Sequence, residues 1–489
     1  MNNTLPVLDW TINLLIVQAL MGAFDTLYHH ELTQGLSHSP RARRELSIHA
    51  IRAVLYGVLF ASMANLKFFG IWTFAIAGLV VVEVWLTLWD FVVEDRSRKL
   101  PATERVLHTL LAINGGALFG LYAVQLVEWF QAPTGLAIAS FGWRGWLLSL
   151  AAAGVTVSGI RDGLAARRMS RRGAAVNPFA GQSHLSVLVT GGTGFIGEAL
   201  VTQLLDAGHT VTLLARDPLR AAYQFTGRAR SVTSLDQLHA QERFDAVINL
   251  AGAPVLGPRW SQRRRAQLLA SRVGVTQALT RWASHATHKP AIWIQASAIG
   301  FYGARDGDQL LDEHSAPGGG FMSELCRRWE ESAEPLRDYG LRMVVLRLGV
   351  VFGPGGALPP MMLPHYFGLG GRLGNGRQVM SWIHREDLLR ILARALSDPG
   401  MSGVYNATAP GCLTQAEFAR TVGKVLRRPV WFHLPAAPLR WAAGEMSELL
   451  LAGQRVIPAR LQREGFAFRF PAAESALRDL TGDRASLRH

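Results

Sequence analysis

The sequence predicts two joined folds: an α-helical membrane bundle of about five spans, then a doubly wound parallel α/β sheet with a small C-terminal α/β lobe. Three observations carry this. Apolar runs near bilayer-spanning length fill the first 168 residues. A short strand, a glycine turn and a helix follow at Val187–Gly197. From there strands and helices alternate to the C-terminus. The chain is accordingly divided into a multi-span domain at 1–168, a basic linker at 169–183, a sheet domain at 184–410 and a lobe at 411–489.

The apolar runs lie at 7–28, 46–66, 70–93, 106–130 and 145–161. No basic segment precedes the first, which argues against a cleaved signal peptide. Trp10, Trp72, Trp89, Trp129, Trp143 and Trp146 stand near the run ends, as interfacial tryptophans do. Arg41, Arg43 and Arg44 follow the first run; Arg96, Arg98 and Lys99 follow the third; Arg161, Arg167, Arg168, Arg171 and Arg172 follow the fifth. The other loops carry only Lys67 and Arg144. The positive-inside rule then places the N-terminus outside and the sheet domain in the cytoplasm, as in a bacterial inner-membrane protein in contact with the lipid bilayer.

Ionisable residues gather at the cytoplasmic ends of these runs. Asp25/His29, Glu45/His49, Asp90/Glu94 and Glu104/His108 are each spaced to share a helix face. Carboxylates and histidines converging from four helices are how bundles hold di-iron or di-manganese. Asp25, His29, His49, Glu94, Glu104 and His108 are therefore candidate metal ligands. The bland alternative is an interfacial salt-bridge network with Arg52 and Arg105; a quinone or lipid-headgroup site is a further one.

In Thr190-Gly-Gly-Thr-Gly-Phe-Ile-Gly197 each glycine has its own task. Gly191 permits a tight turn, Gly194 lets backbone approach a pyrophosphate, and Gly197 lets the helix pack close to the strand. This is a Rossmann-type cofactor loop, and Gly191, Gly192, Thr193, Gly194, Phe195, Ile196 and Gly197 are its candidate binding residues. The second strand ends at Ala215-Arg216-Asp217. Arginine there suits the 2′-phosphate of NADP, whereas the acidic residue that would hold an NAD ribose is one step late. Arg216 is thus a candidate contact, and NADP(H) is expected over NAD. Phe244–Gly252, Ala291–Ser297 and Arg342–Leu348 read as further parallel strands. Asn249, Leu250, Ala251 and Gly252 would reach the cofactor at one strand's carboxyl end.

The net charge is +14, yet the arginines flank apolar runs or are scattered, so no nucleic acid is expected as partner. Cys326 and Cys412 are too few for a disulfide framework and form no CxxC metal motif.

Residues 185 to about 480 resemble an extended short-chain dehydrogenase/reductase. More closely they are similar to the "epimerase family" branch, related to nucleoside-diphosphate-sugar epimerases and also labelled a SulA-type, cell-division-inhibitor-like group. The resemblance rests on Thr190–Gly197, Asn249-Leu-Ala-Gly252, Ser271-Arg272, Ser297-Ala-Ile-Gly-Phe-Tyr302-Gly303, Cys326-Arg-Arg-Trp329-Glu330 and Ser381-Trp-Ile-His384. The stretch from Gly444-Glu-Met446 to Arg460 resembles that branch's C-terminal domain of unknown function. The resemblance implies an NADP(H)-binding domain and a lobe closing over a small-molecule substrate. The wider superfamily pairs a serine with Tyr-x-x-x-Lys, the tyrosine being the acid/base. No Tyr-x-x-x-Lys occurs here, and its place falls at Phe321-Met-Ser-Glu-Leu325. Ser297 and Tyr302 remain as catalytic candidates. His384 reads as a helix-cap contact, and Phe301 and Trp329 as core.

The expected function is a membrane-anchored NADP(H)-dependent oxidoreductase or epimerase acting on a sugar-nucleotide-like or lipid-linked substrate. Two alternatives stand beside it: an NADPH-binding sensor coupled to the membrane domain, and metal-dependent redox chemistry in the bundle.

Overall fold

The structure is a computed structural model and describes residues 7–26, 43–97, 102–171, 176–239, 241–305 and 309–482. It divides into two units, Met1–Gly173 and Ala174–His489.

The first unit consists of α1 (Val7–Phe24), α2 (Arg43–Asn65), α3 (Trp72–Ser97), α4 (Ala102–Phe130) and α5 (Trp143–Arg171). All five are long and apolar enough to cross a membrane. Ile12, Leu15, Phe60, Met63, Leu118, Tyr122 and Leu148 form the core between them. Val81, Trp85, Ile113, Val127 and Leu150 face outward and are exposed, the arrangement a lipid-facing surface requires. Small residues set the close approach of α2 and α5. A Cβ at Gly57 would stand 2.0 Å from Thr156 Oγ1, and one at Gly159 would stand 2.8 Å from Ala53 Cβ. The unit also holds a two-stranded antiparallel ribbon that the sequence does not announce, β1 (Leu66–Phe69) with β2 (Gly135–Ile138). Four-residue strands at span ends carry too little alternation to be read.

The second unit is built on seven parallel strands: β3 (Ser186–Thr190), β4 (Thr210–Leu214), β5 (Arg230–Val232), β6 (Ala246–Asn249), β7 (Ile292–Ala298), β8 (Arg342–Leu348) and β9 (Gly403–Ala407). Their order is β9-β8-β7-β6-β3-β4-β5. The order reverses between β3 and β6, the crevice where doubly wound sheets bind ligands. The strands are apolar on both faces because helices cover both. Val187 and Val189 meet Leu200 and Leu204 of α6 (Phe195–Asp206), and also Leu388 and Leu392. Leu188, Val247 and Trp293 meet Leu279, Ala283 and Leu336 on the other side.

Two expected boundaries move. α5 runs on to Arg171, and Phe179 is fully buried in the sheet core while Asn177 Nδ2 donates to Gln203 O at 2.7 Å. The linker expected at 169–183 is therefore shorter, since both its ends belong to folded units. The lobe does not start at 411 either. Its core joins Phe352, Leu358, Met362 and Trp382 to Phe418, Val422 and Leu477, so two separated stretches of chain build it.

Candidate active site

The glycine turn has the geometry a dinucleotide phosphate needs. Gly191 sits at φ +68°, in the left-handed region, and a Cβ there would meet Leu250 O at 2.5 Å. A Cβ at Gly197 would stand 2.2 Å from Gly191 O and 2.7 Å from Gly192 Cα. Gly194 is the extended N-cap of α6, and no side chain caps that helix. The first-turn N–H groups therefore remain available to an anion. Phe195 and Ile196 belong to this turn by their backbone. The Phe195 ring instead fills the space left by Gly353, Gly355 and Gly356, with the Arg385 guanidinium 5.2 Å above it, and Ile196 packs on the sheet core.

Asn249 is fully buried and its amide is spent inside the fold. It accepts from Thr190 Oγ1 at 2.6 Å and donates to Thr276 Oγ1 at 2.8 Å and Gln295 Oε1 at 3.0 Å. This ties the carboxyl ends of β3, β6 and β7 together. The Asn249 side chain thus braces these strands, and the backbone of Leu250, Ala251 and Gly252 continues from the end of β6. Arg216 is exposed at the end of β4. Asp217 accepts from Arg220 N at 2.9 Å and caps the helix Pro218–Gln224, so this carboxylate is engaged in the fold.

Ser297, Arg347 and Asn406 occupy one row across β7, β8 and β9. That row carries a closed network. Ser297 Oγ donates to Glu330 Oε1 at 2.6 Å. Arg347 holds the same carboxylate with two bonds, Nε at 2.9 Å and Nη2 at 2.8 Å. Its Nη1 donates to the Tyr302 hydroxyl at 3.0 Å, which donates to Asn406 Oδ1 at 2.7 Å. Arg347 also lies 3.4 Å over the Phe301 ring. Ser297 and Tyr302 are both buried, and both hydroxyls are engaged. Burial pushes the Tyr302 phenol above its ordinary range, against the opposing pull of Arg347. Burial likewise pushes the Cys326 thiol up to about 12, with Glu330 adding to it. The two expected catalytic hydroxyls are therefore brought together, but inside the protein.

A cleft of about 820 Å³ is lined by Trp260, Arg265, Phe321, Glu324, Arg440 and Glu448 among others. The position where the superfamily has its acid/base tyrosine thus faces the cleft, and Phe321 there brings no proton. Its ring meets Trp260 edge-on at 5.3 Å and carries the Arg265 guanidinium at 5.0 Å. Leu325, at the lysine position, is buried. Glu324 bonds Arg327 and Arg328, which hold its carboxyl below the usual range. His384 is a helix cap, as expected, its Nδ1 accepting from Glu386 N at 3.1 Å. Phe301 and Trp329 are core residues, as expected.

The polar residues of the first unit separate into two groups. Asp25, Glu104 and His108 bring ligand atoms within 4.8 Å of one another, with His108 Nε2 3.1 Å from Asp25 Oδ2. His49 does not join them: its Nε2 is 3.1 Å from Asp90 Oδ2, and Arg52 bonds both Asp90 and Glu83. That second group is an ion-pair network, in line with the bland alternative. His29 and the Glu94 side chain lie outside the described residues.

Comparison with known proteins agrees with this geometry. Residues 187–407 match the NAD dependent epimerase/dehydratase family, and residues 434–480 match a domain of unknown function, DUF1731. The chain belongs to this epimerase family. It is 35% identical to the epimerase family protein YfhF of Bacillus subtilis, over 62% of this chain and 100% of that protein. It is 40% identical to human SDR39U1, over 60% of this chain and 99% of that one. The crystal structure of human SDR39U1 (isoform 2) with NADPH is matched with a TM-score of 0.56 at 37% identity, over 61% of this chain and 100% of that chain. A nucleoside-diphosphate sugar epimerase from Corynebacterium glutamicum is matched with a TM-score of 0.50 at 27% identity, over 72% and 69% of the two chains.

Proposed function

We propose that this protein is a membrane-anchored, NADP(H)-dependent oxidoreductase or epimerase. The observation that carries the reading is the cradle at Gly191 and Gly197 beside the uncapped N-terminus of α6, together with the exposed Arg216. The NADPH named with the human relative's structure supports the same cofactor. The backbone of Gly192–Gly197 would hold the diphosphate, and Arg216 the 2′-phosphate. Bound NADP(H) would supply or accept a hydride. The cleft by Phe321 would take a sugar-nucleotide-like or lipid-linked substrate, oriented by Arg265 and Arg440. Five apolar helices with outward-facing tryptophan, valine and leucine support anchoring in a bilayer, with the second unit in the cytoplasm. Consumption of NADPH with candidate sugar nucleotides, measured on full-length protein in mild detergent, tests this.

Two further readings have their own support. Sealed hydroxyls at Ser297 and Tyr302, and Phe321 in the cleft, favour an NADPH-binding sensor; tight NADPH binding with no hydride loss to any substrate is its signature. The Asp25–Glu104–His108 group favours a metal in the bundle. Elemental analysis that finds iron or manganese, lost in His108→Ala, supports that reading; metal-free protein removes it.

A further inference from the structure

The outer strand of the C-terminal lobe is apolar and uncovered. Gly370–Leu373 pairs in parallel with Val430–Leu434. Val430 packs in the space that Gly423 leaves on the helix Gln415–Leu426, and beyond it Trp431, Phe432, His433, Leu434 and Pro435 are all exposed. Trp431 is 74% exposed, and only its Nε1 is engaged, donating to Gly368 O at 3.0 Å. Phe367 and Leu369, on either side of Gly368, are exposed as well. The helix that follows, Ala436–Ala443, buries none of its residues, and its Trp441 is 82% exposed. An apolar surface of this kind marks an interaction site.

The charge around it selects the partner. Arg372, Arg377, Arg427, Arg428 and Arg440 are exposed, and none has an ion-pair partner among the described residues. No Asp or Glu occurs in 351–385 or 418–444. A second copy of the chain laid on this surface would set these arginines against themselves. A bilayer surface with anionic headgroups suits both features. Tryptophan and phenylalanine settle at the boundary between headgroups and acyl chains, and arginines gain from the negative surface potential. A groove of about 510 Å³ beside the ribbon is lined by Arg372, Asn375, Arg377 and His433, among others, side chains that can donate to a phosphate. The helix Ala436–Ala443 links this groove to the cleft at Phe321, since Ala436 lines the first and Arg440 the second.

We infer that this ribbon and helix dock on the anionic surface of a lipid bilayer. A lipid-linked substrate would then reach the cleft along one helix. The inference deepens the membrane-anchored reading and rests on it for the nearness of a bilayer.

The test uses full-length protein in lipid nanodiscs. One environment-sensitive fluorophore is attached at Leu369→Cys in a Cys412→Ser background; Cys326 is buried and stays unlabelled. The discs are phosphatidylcholine alone or with roughly a third phosphatidylglycerol, each with and without a spin-labelled lipid. The expected result is blue-shifted emission with about twofold or greater quenching in the phosphatidylglycerol discs, most of it lost at high salt. Arg427→Glu/Arg428→Glu and Trp431→Ser/Trp441→Ser are each expected to reduce the quenching. Inserted protein whose label is unquenched in both lipids overturns the inference. Equal quenching in both lipids overturns the anionic surface as the partner. A blue shift in detergent that grows with protein concentration also overturns it, because a second copy then covers the ribbon. Protein that never enters the discs refutes the anchored reading instead. Flotation of the same full-length chain with phosphatidylglycerol vesicles then decides the docking: floating protein supports it, and protein left at the bottom overturns it.

Discussion

Gly191 and Gly197 admit no side chain for different reasons, one conformational and one steric. Gly197→Ala must move the Gly191 carbonyl, at a cost of roughly 1–3 kcal/mol of overpacking. Its expected result is folded protein with NADPH affinity reduced more than tenfold, read by fluorescence titration. Tyr302→Phe is expected to behave in the opposite way. It strands Asn406 and Arg347, two buried partners, and costs about 1–3 kcal/mol in denaturant unfolding. NADPH affinity is expected to hold, since the hydroxyl does not open on the crevice. Cys326 gives a pH dependence with a fixed sign. Its folded-state pKa is raised from 9.0 to about 12, so between those values the unfolded chain releases a proton that the folded chain keeps. Stability is complete below pH 9.0 and falls as pH rises toward about 12. Denaturant midpoints are expected to drop across that window, with a shallower drop in Cys326→Ala.

The row formed by β7, β8 and β9 explains why the Ser297 network is closed, because adjacent parallel strands place Ser297, Arg347 and Asn406 side by side. Glu330→Gln leaves Arg347 without its buried carboxylate. A loss of about 3–5 kcal/mol is expected for breaking a buried pair. An unchanged midpoint would mean that the pair contributes nothing. Helix packing in the bundle is equally exposed to one residue: Gly57→Leu is expected to separate α2 from α5 and lower the melting temperature in detergent. Much of this architecture is legible in the sequence. The strand–Gly-turn–helix of Val187–Gly197 is legible because a strand precedes the glycines and an amphipathic helix follows them. The five apolar runs announce themselves by length, and Arg216 by its place at a strand end. Other features were hidden for physical reasons. Asn249 and Ser297 look like ligand contacts because polar residues at strand ends usually are, and only register shows their partners. The π-helical turn Ala270–Gly274, which carries Arg272, lies inside what reads as continuous helix. Phe352 and Trp382 stack at 4.8 Å in the lobe core, yet they lie upstream of the boundary that composition suggests.

The molecule joins a family domain to five helices that its relatives' matched lengths leave outside: YfhF is covered in full by 62% of this chain. If those helices anchor the protein, it resists alkaline carbonate extraction of membranes, and protease added to right-side-out vesicles spares residues 176–489. Release of the chain by carbonate would remove the anchoring reading and leave the cofactor reading standing. The central claim is that the second unit holds NADP(H), with Arg216 on the 2′-phosphate. The most direct measurement is paired calorimetry of NADPH and NADH on full-length protein and on Arg216→Ala. NADPH is expected to bind at least tenfold tighter than NADH in the wild type, with that preference lost in Arg216→Ala. Equal affinity for the two cofactors in the wild type, or no binding of either, would contradict it.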